Sequence, residues 1–97
     1  MMTSMIRGFR DAETERLFLR DEGSRFARPL QRAALRKLLL LDAAESLHDL
    51  RVPPGNRLEK LTGDRLGQYS IRVNDQYRVC FRWEGGDAHD VELVDYH

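Results

Sequence analysis

The chain has few residues that form covalent or metal cross-links. It has 97 residues and one cysteine, Cys80, which excludes an intramolecular disulfide. Its three histidines, His48, His89 and His97, lack the spacing of a zinc site, so we expect no metal and no cofactor. A chain of this length folds around one core without such cross-links. We therefore predict a single domain over residues 1–97, with Cys80 as a structural residue in a strand.

Long hydrophobic runs are also missing. The longest, residues 38–41, is far shorter than the ~20 apolar residues of a membrane span, and the hydrophobic fraction is 41%. Residues 1–5 lack the basic and then apolar pattern of a signal peptide. The sequence therefore predicts a globular, cytoplasmic protein without a membrane partner.

Lysine is scarce, and the charge is unevenly distributed although the formal net charge is zero. Residues 51–82 carry seven basic and three acidic side chains, a net charge of +4, whereas residues 83–97 carry five acidic side chains and no Lys or Arg. Apart from Lys37 and Lys60, every basic residue is an arginine, whose planar fork makes two hydrogen bonds to one phosphate. The pattern fits either a phosphodiester-binding surface or a solvated face with scattered ion pairs.

The first half of the sequence predicts a short strand and two helices. Residues 5–9 read as the strand, and Asp11 is placed to cap a helix over residues 12–20. Pro29 suits the first turn of a longer helix, because apolar residues recur at helical spacing from there to Ala44. A stripe this broad predicts that the second helix packs on a sheet.

Residues 68–73 and 77–82 alternate apolar and polar side chains, as two paired strands do. A three-residue loop at 74–76 would pair Val73 with Tyr77 and keep the apolar residues of both strands on one face. A two-residue loop would put mismatched residues on that face. We therefore predict the three-residue loop.

That register places Arg72 directly opposite Arg78 on the polar face. Like charges in this position destabilise a hairpin by roughly 0.2–1 kcal/mol. A bound anion would remove the cost, and so would a carboxylate from the adjoining strand, Asp90 or Glu92. The pattern alone does not choose between the two.

The last strand is predicted at residues 90–93, after a hairpin turn at 84–87. It leads to Asp95, Tyr96 and His97, whose carboxylate, phenol and imidazole are able to hold or transfer protons. Alternation puts Tyr96 on the face that carries the arginines.

Several segments together resemble a known family. They are Pro-Pro-Gly-Asn-Arg-Leu-Glu at 53–59, Gly-Asp-Arg at 63–65, the hairpin at 67–81 and Val-Glu-Leu-Val-Asp-Tyr-His at 91–97. They are similar to the HigB toxins, members of the RelE/ParE superfamily of type II toxin–antitoxin systems. The resemblance extends from Met5 onward, so residues 1–4 are expected to be an N-terminal extension. It implies an α+β fold of two N-terminal helices packed on a small antiparallel sheet.

The resemblance also implies an activity, the ribosome-dependent cleavage of translated mRNA in the A site. In the implied reaction, the ribose 2′-hydroxyl would attack the adjacent phosphate without a metal. By the same resemblance, a small helix-turn-helix antitoxin of the HigA type is expected to oppose this activity, and operator DNA is expected to be bound only through that antitoxin.

Four residues match the family's catalytic positions. Arg78 corresponds to the active-site arginine and would stabilise the charged transition state. His97 and Tyr96 are the candidates for proton transfer, and Asp95 for orienting them.

Further site residues follow from charge and from differences within the family. Arg57, Lys60 and Arg72 are expected to contact the RNA backbone because of their charge. Thr62 replaces the lysine of many relatives, and Glu59 lies at or near the position of a catalytic histidine in some. These two replacements predict weaker toxicity, with more of the chemistry left to His97 and Arg78.

Two other functions remain open. ParE-type relatives share the fold and poison DNA gyrase, which would make the basic strand surface a protein-docking face. The chain would otherwise be a scaffold that binds only its antitoxin and operator DNA. The Tyr-His end near Arg78 favours the nuclease, because a gyrase binder has no chemical need for it.

Overall fold

The fold consists of two helices on one antiparallel sheet. A computed structural model of the protein describes residues 6–20 and 26–95. The helices are α1 (Ala12–Phe18) and α2 (Arg28–Ala43), and the strands are β1 (Glu59–Lys60), β2 (Gln68–Arg72), β3 (Tyr77–Glu84) and β4 (Asp87–Asp95). The strands pair antiparallel in the order β1-β2-β3-β4. This architecture confirms the predicted fold class. Neither described helix combines the length and the apolar character that a membrane span requires.

Helix α1 begins where the sequence predicts. Asp11 is extended, and its side chain accepts a hydrogen bond from the amide of Thr14, 3.4 Å away, as an N-cap residue does. The helix ends at Phe18, two residues earlier than predicted. The buried Thr14 hydroxyl accepts a bond of 3.0 Å from the amide of Leu93, which ties α1 to β4.

Helix α2 supplies much of the core. Proline lies in its first turn, and its fully buried residues, Ala34, Leu38 and Leu41, recur at the predicted spacing. These residues pack against the apolar face of β2, β3 and β4. The strand residues of this core are Ile71, Val79, Phe81, Ala88, Val91 and Leu93.

The central hairpin has the predicted register. Ile71 lies opposite Val79 and Arg72 opposite Arg78, with the loop at residues 74–76 between the strands. The Asn74 side-chain oxygen accepts bonds from two backbone amides across this loop, which fixes the turn.

Strand β4 contains a bulge that the sequence analysis did not predict. The strand itself begins at Asp87, earlier than the predicted residue 90, after a turn whose glycines, Gly85 and Gly86, have positive φ. Ala88 and Val91 are three residues apart, yet both are fully buried in the core. Regular alternation would put them on opposite faces. The bulge resolves this conflict, since the register shifts there and Asp90 adopts φ 53°.

The prediction of a regular strand at residues 5–9 is wrong, and the sequence analysis did not predict strand β1. Met5 lies outside the described residues, while Ile6 and Phe9 form only isolated parallel bridges to Ala88 and Val91. The bulge lies between these two partners and interrupts a regular ladder. Strand β1 has only two residues, too few to show an alternating pattern.

Candidate functional site

A cleft of about 280 Å³ lies on the polar face of the sheet, around the end of the central hairpin. The register of β2 and β3 brings Arg72 and Arg78 together there, and the pairing of β1 with β2 places Glu59 opposite Ser70. The cleft is lined by six residues, of which three are cations: Arg57, Glu59, Arg72, Asn74, Asp75 and Arg78.

Arg78 is buried at this site and held mainly by neutral oxygens. Its Nε donates to Ser70 Oγ at 2.7 Å. Its Nη2 donates to the carbonyls of Arg57, at 2.5 Å, and Ser70, at 3.4 Å. Nη1 has no hydrogen-bond partner within residues 6–20 and 26–95. The guanidinium is thus oriented while part of its donor capacity stays unused, as binding of an anion in the cleft requires.

The carbonyl of Arg57 reaches Arg78 because the Arg57 backbone is left-handed, with φ 45° and ψ 58°. Few residues other than glycine adopt this conformation. The preceding residue, Asn56, is fully buried and fixes the loop. Its Nδ2 donates to the carbonyls of Leu50 and Val52 at 3.2 and 3.3 Å.

Helix α2 supports this loop through Lys37. The Lys37 ammonium donates to Asn56 Oδ1 at 2.6 Å. Burial lowers the pKa of Lys37, and the neighbouring charges of Arg36 and Arg72 lower it further. An ammonium on α2 is therefore held near two guanidinium groups.

Each of the two facing arginines has a carboxylate nearby that the sequence analysis did not propose as its partner. Arg72 forms an ion pair with Asp75 of the hairpin loop, and Arg78 Nη2 lies 3.6 Å from Glu59 Oε1. The Asp75 side chain is fully exposed, so water weakens its pairing with Arg72. The site keeps a positive character.

Asp90 and Glu92, the carboxylates predicted for this role, lie elsewhere. The bulge turns Asp90 toward Arg82, whose Nε donates to it at 2.8 Å. Glu92 accepts a bond of 3.3 Å from Arg65. Of the two alternatives left open by the sequence, neutralisation of Arg72 and Arg78 by Asp90 or Glu92 is therefore wrong.

Two further predicted residues, Lys60 and Asp95, lie outside the lining of the cleft. Lys60 is exposed on β1, and Asp95 lies opposite Tyr77 and accepts a bond of 3.0 Å from the Gln76 side chain. Tyr96 and His97 lie outside the described residues. Within the part of the chain that is described, no three His, Cys, Asp or Glu side chains form a group that a metal would need.

Sequence reasoning missed Ser70, Asn56 and Lys37. Ser70 had a detectable signal, because alternation puts it on the face of Arg72 in a strand whose partner carries Arg78. Asn56 had none, since an asparagine after Pro-Gly reads as an ordinary turn residue.

Comparison with known proteins identifies the class. Residues 7–97 match the family described as RelE-like toxin of type II toxin-antitoxin system HigB. The chain is 46% identical to Toxin HigB-1 of Vibrio cholerae over 86 residues, which is 88% of this chain and 90% of that protein. An uncharacterized protein of Haemophilus influenzae is 38% identical over 73 residues, 75% of this chain and 72% of that one. Endoribonuclease HigB of Proteus vulgaris is 42% identical over 41 residues, 42% of this chain and 45% of that protein.

A match of this extent, on this fold, defines a toxin of a type II toxin–antitoxin system, whose partner is an antitoxin. The chain belongs to the HigB-like toxin family. The resemblance noted in the sequence is thereby confirmed. None of the three relatives carries a name that refers to gyrase, so the alternative of a gyrase poison is not favoured.

Proposed function

We propose that this toxin is a ribosome-dependent endoribonuclease that cleaves mRNA in the A site without a metal ion. The observation that carries the proposal is the fixed guanidinium of Arg78 in a cleft lined by two further arginines. A buried cation that is already oriented needs no reorganisation when negative charge develops on a phosphate. The name of the Proteus vulgaris relative supports the same type of reaction.

The proposed reaction is an attack within the RNA strand. The 2′-oxygen of a ribose forms a bond to the adjacent phosphorus as its proton leaves, and the bond from phosphorus to the 5′-oxygen breaks. A second proton passes to that 5′-oxygen, and a 2′,3′-cyclic phosphate remains. Arg78 stabilises the additional negative charge on the phosphoryl oxygens in the transition state.

Two proton-transfer groups are needed, and we assign them to Tyr96 and His97, with Asp95 as an orienting group. This assignment rests on the sequence match. An imidazole suits the role because its ordinary pKa of about 6.5 lies near cellular pH.

The RNA backbone is proposed to lie along Arg57 and Arg72, which line the cleft beside Arg78. Lys60 on β1 would contact the RNA backbone beyond the cleft, as an exposed point charge. Glu59 lies close to Arg78 and is exposed to solvent, so it would reduce the affinity of the cleft for phosphate. The proposed weak toxicity follows from this carboxylate and from the absence of a cation at Thr62.

We further propose that the protein acts in the cytoplasm and is inhibited by a HigA-type helix-turn-helix antitoxin, which alone contacts operator DNA. A neighbouring downstream gene that encodes a small helix-turn-helix protein would support this assignment. A neighbouring gene for an unrelated type of protein would contradict it.

The central test compares two substrates. The purified protein is added to naked mRNA and to the same mRNA threaded in translating ribosomes, without added transition metal. We expect cleavage only on the ribosome, because the site lacks the strong pair of acid and base histidines with which a free ribonuclease works alone.

An Arg78→Ala variant serves as the control for contaminating nuclease. Rapid cutting of naked RNA would contradict ribosome dependence. Intact mRNA on ribosomes, together with inhibition of gyrase supercoiling, would instead support the gyrase-binding alternative.

A further inference from the structure

Two residues outside the cleft are connected to Arg78 by an unbroken series of contacts. Lys37 on α2 bonds to Asn56, Asn56 is followed by Arg57, and the Arg57 carbonyl accepts from Arg78 Nη2. We propose that Lys37 and Asn56 are positioning residues, which hold the Arg57 carbonyl where it fixes the Arg78 guanidinium for catalysis. The catalytic part of this inference rests on the proposed nuclease function.

The conformation of Arg57 is the first argument. A non-glycine residue at φ 45° is found only where its surroundings hold it. Asn56 supplies that constraint, since its buried side chain bonds to the carbonyls of Leu50 and Val52 on the preceding turn. Were the loop to relax toward negative φ, the Arg57 carbonyl would turn away from Arg78.

The location of Lys37 is the second argument. Partial burial and, to a smaller extent, two neighbouring guanidinium groups lower the pKa of Lys37, so the folded protein holds this ammonium at a cost. An exposed position would avoid that cost. In exchange, the ammonium makes a charge-assisted bond of 2.6 Å to the Asn56 amide oxygen. The geometry is therefore explained by what Lys37 holds.

The third argument is that the support comes from a rigid element. Lys37 lies on the same helix as Ala34, Leu38 and Leu41, which are fully buried in the core. A residue on a packed helix holds a loop more accurately than another loop residue does. The core thereby determines the position of the catalytic arginine.

The test uses Lys37→Met, which keeps the length of the side chain and removes the donor, and Lys37→Arg, which keeps a cationic donor. The matched control is Arg32→Met, which removes one positive charge from an exposed site on the same helix. The parent and all variants are assayed as the full chain on programmed ribosomes. Comparison of Lys37→Met with Arg32→Met separates the loss of a charge from the loss of the hydrogen bond to Asn56.

The first measurement is structural. In nitrogen-15 NMR spectra, the guanidinium signals of Arg78, assigned by their loss in Arg78→Lys, report how rigidly Nη2 is held. We expect the two NH₂ groups of the Arg78 guanidinium to exchange positions faster in Lys37→Met and at the parent rate in Arg32→Met. Identical spectra in these two variants would overturn the proposal, whether or not the protein cleaves RNA.

The second measurement is single-turnover cleavage at varied ribosome concentration. For Lys37→Met, we expect the maximal rate to fall about tenfold and the half-saturating concentration to change less than about twofold. Lys37→Arg should recover most of the rate. Loosened Arg78 signals with an unchanged rate would overturn the catalytic role of the positioning.

A parent protein that fails to cut mRNA on ribosomes would contradict the proposed function, whereas the NMR comparison would still decide whether Lys37 orients Arg78. Should Lys37→Met lose its cooperative thermal transition, Asn56→Asp takes its place in both measurements. That variant keeps the acceptor for Lys37 but cannot donate to Leu50 and Val52. Parent-like spectra in Asn56→Asp would also overturn the proposal.

Discussion

Two arginines on the polar face of β3, Arg78 and Arg82, have opposite environments. Arg78 is buried, with 10% of its side chain exposed, and bonds to a hydroxyl and two carbonyls. Arg82 is 37% exposed and pairs with two carboxylates, Asp90 and Glu84. Its hydrogen bond to Asp90, and then the charge of Glu84, raise the pKa of Arg82.

The difference shows that two arginines on one strand can have different roles, depending on the groups around them. The charge of Arg82 is balanced by its neighbours, so this residue links the β3–β4 hairpin to the bulge. The neutral oxygens around Arg78 orient the guanidinium without cancelling its charge, and a single exposed carboxylate, Glu59, lies 3.6 Å away. Of these two arginines, Arg78 therefore has charge available for a substrate phosphate, and Arg82 does not.

The largest predicted effect separates these two arginines directly. Arg78→Ala should reduce cleavage on ribosomes by about 10²–10³-fold, as removal of one preorganised donor does, and abolish growth inhibition. Arg82→Ala should leave the rate near that of the parent, because its partners lie outside the cleft. Single-turnover cleavage and a circular dichroism melt of each variant test this prediction.

Equal loss of activity in both variants would contradict this difference between the two arginines, since Arg82 would then have a catalytic role. Equal toxicity of parent and Arg78→Ala would remove Arg78 from the mechanism. If Arg78→Ala fails to melt cooperatively, Arg78→Lys keeps the charge and loses only the planar fork.

The next prediction asks whether Arg78 acts with the Tyr-His end. Deletion of His97 should slow cleavage by about 10²-fold if its imidazole transfers a proton in the rate-limiting step. Tyr96→Phe should also slow the reaction, because it keeps the ring and removes the hydroxyl. Deletion of His97 should change the free energy of unfolding by no more than ~0.5 kcal/mol, as substitutions at surface sites generally do. The control is His48→Ala, which removes an exposed histidine that does not line the cleft.

Cleavage at the parent rate after deletion of His97 would contradict this assignment. Arg78 would then act with other groups, and the Asp-Tyr-His end would have a role in packing or in antitoxin binding.

A smaller effect is expected from Ser70, the hydroxyl that orients Arg78. Ser70→Ala removes the acceptor of Nε and should lower the cleavage rate about tenfold, equivalent to one hydrogen bond. The matched control is Cys80→Ala, which shortens the fully buried side chain directly opposite Ser70 in the sheet. A similar loss of rate in both variants would show that packing, and not the bond to Arg78, is responsible.

Much of the fold could be predicted because its signals are local and repeated. The apolar alternation of β2 and β3 is compatible with one loop length, so it fixes the register and brings Arg72 opposite Arg78. The bulge in β4 could not be predicted in the same way, since it depends on an aspartate, Asp90, in a conformation usual for glycine. The bulge also turns Asp90, one of the two carboxylates considered as partners of the facing arginines, toward Arg82.

The site was less accessible from sequence than the fold. Arg78 was found by resemblance, but the atoms that hold it include the carbonyl of Arg57, and a main-chain acceptor has no signature in sequence. Lys37 contacts a residue 19 positions away, through an asparagine that no periodic pattern marks. Such contacts follow only from the three-dimensional packing of α2 on the loop.

The last prediction uses Cys80, which lies between Arg78 and Arg82 on the same face of β3, as a probe of the two charges. Burial raises the pKa of the Cys80 thiol above its ordinary value of 9.0, the charge of Arg65 lowers it, that of Glu92 raises it, and that of Arg78 lowers it. Above pH 9.0 the unfolded chain loses this proton first, so the free energy of unfolding should fall as pH rises.

Lys37, with its lowered pKa, acts in the opposite direction over the alkaline range, because the folded state loses that proton first. It is present in both the parent and Cys80→Ala, so the difference between their denaturant midpoints across pH isolates the thiol. Replacing Arg78 by glutamine should extend this difference to higher pH, because one lowering charge is removed, whereas Arg82→Gln should leave it unchanged. An equal response to both replacements would mean that the charge of Arg78 is as fully balanced as that of Arg82, contrary to the role proposed for it.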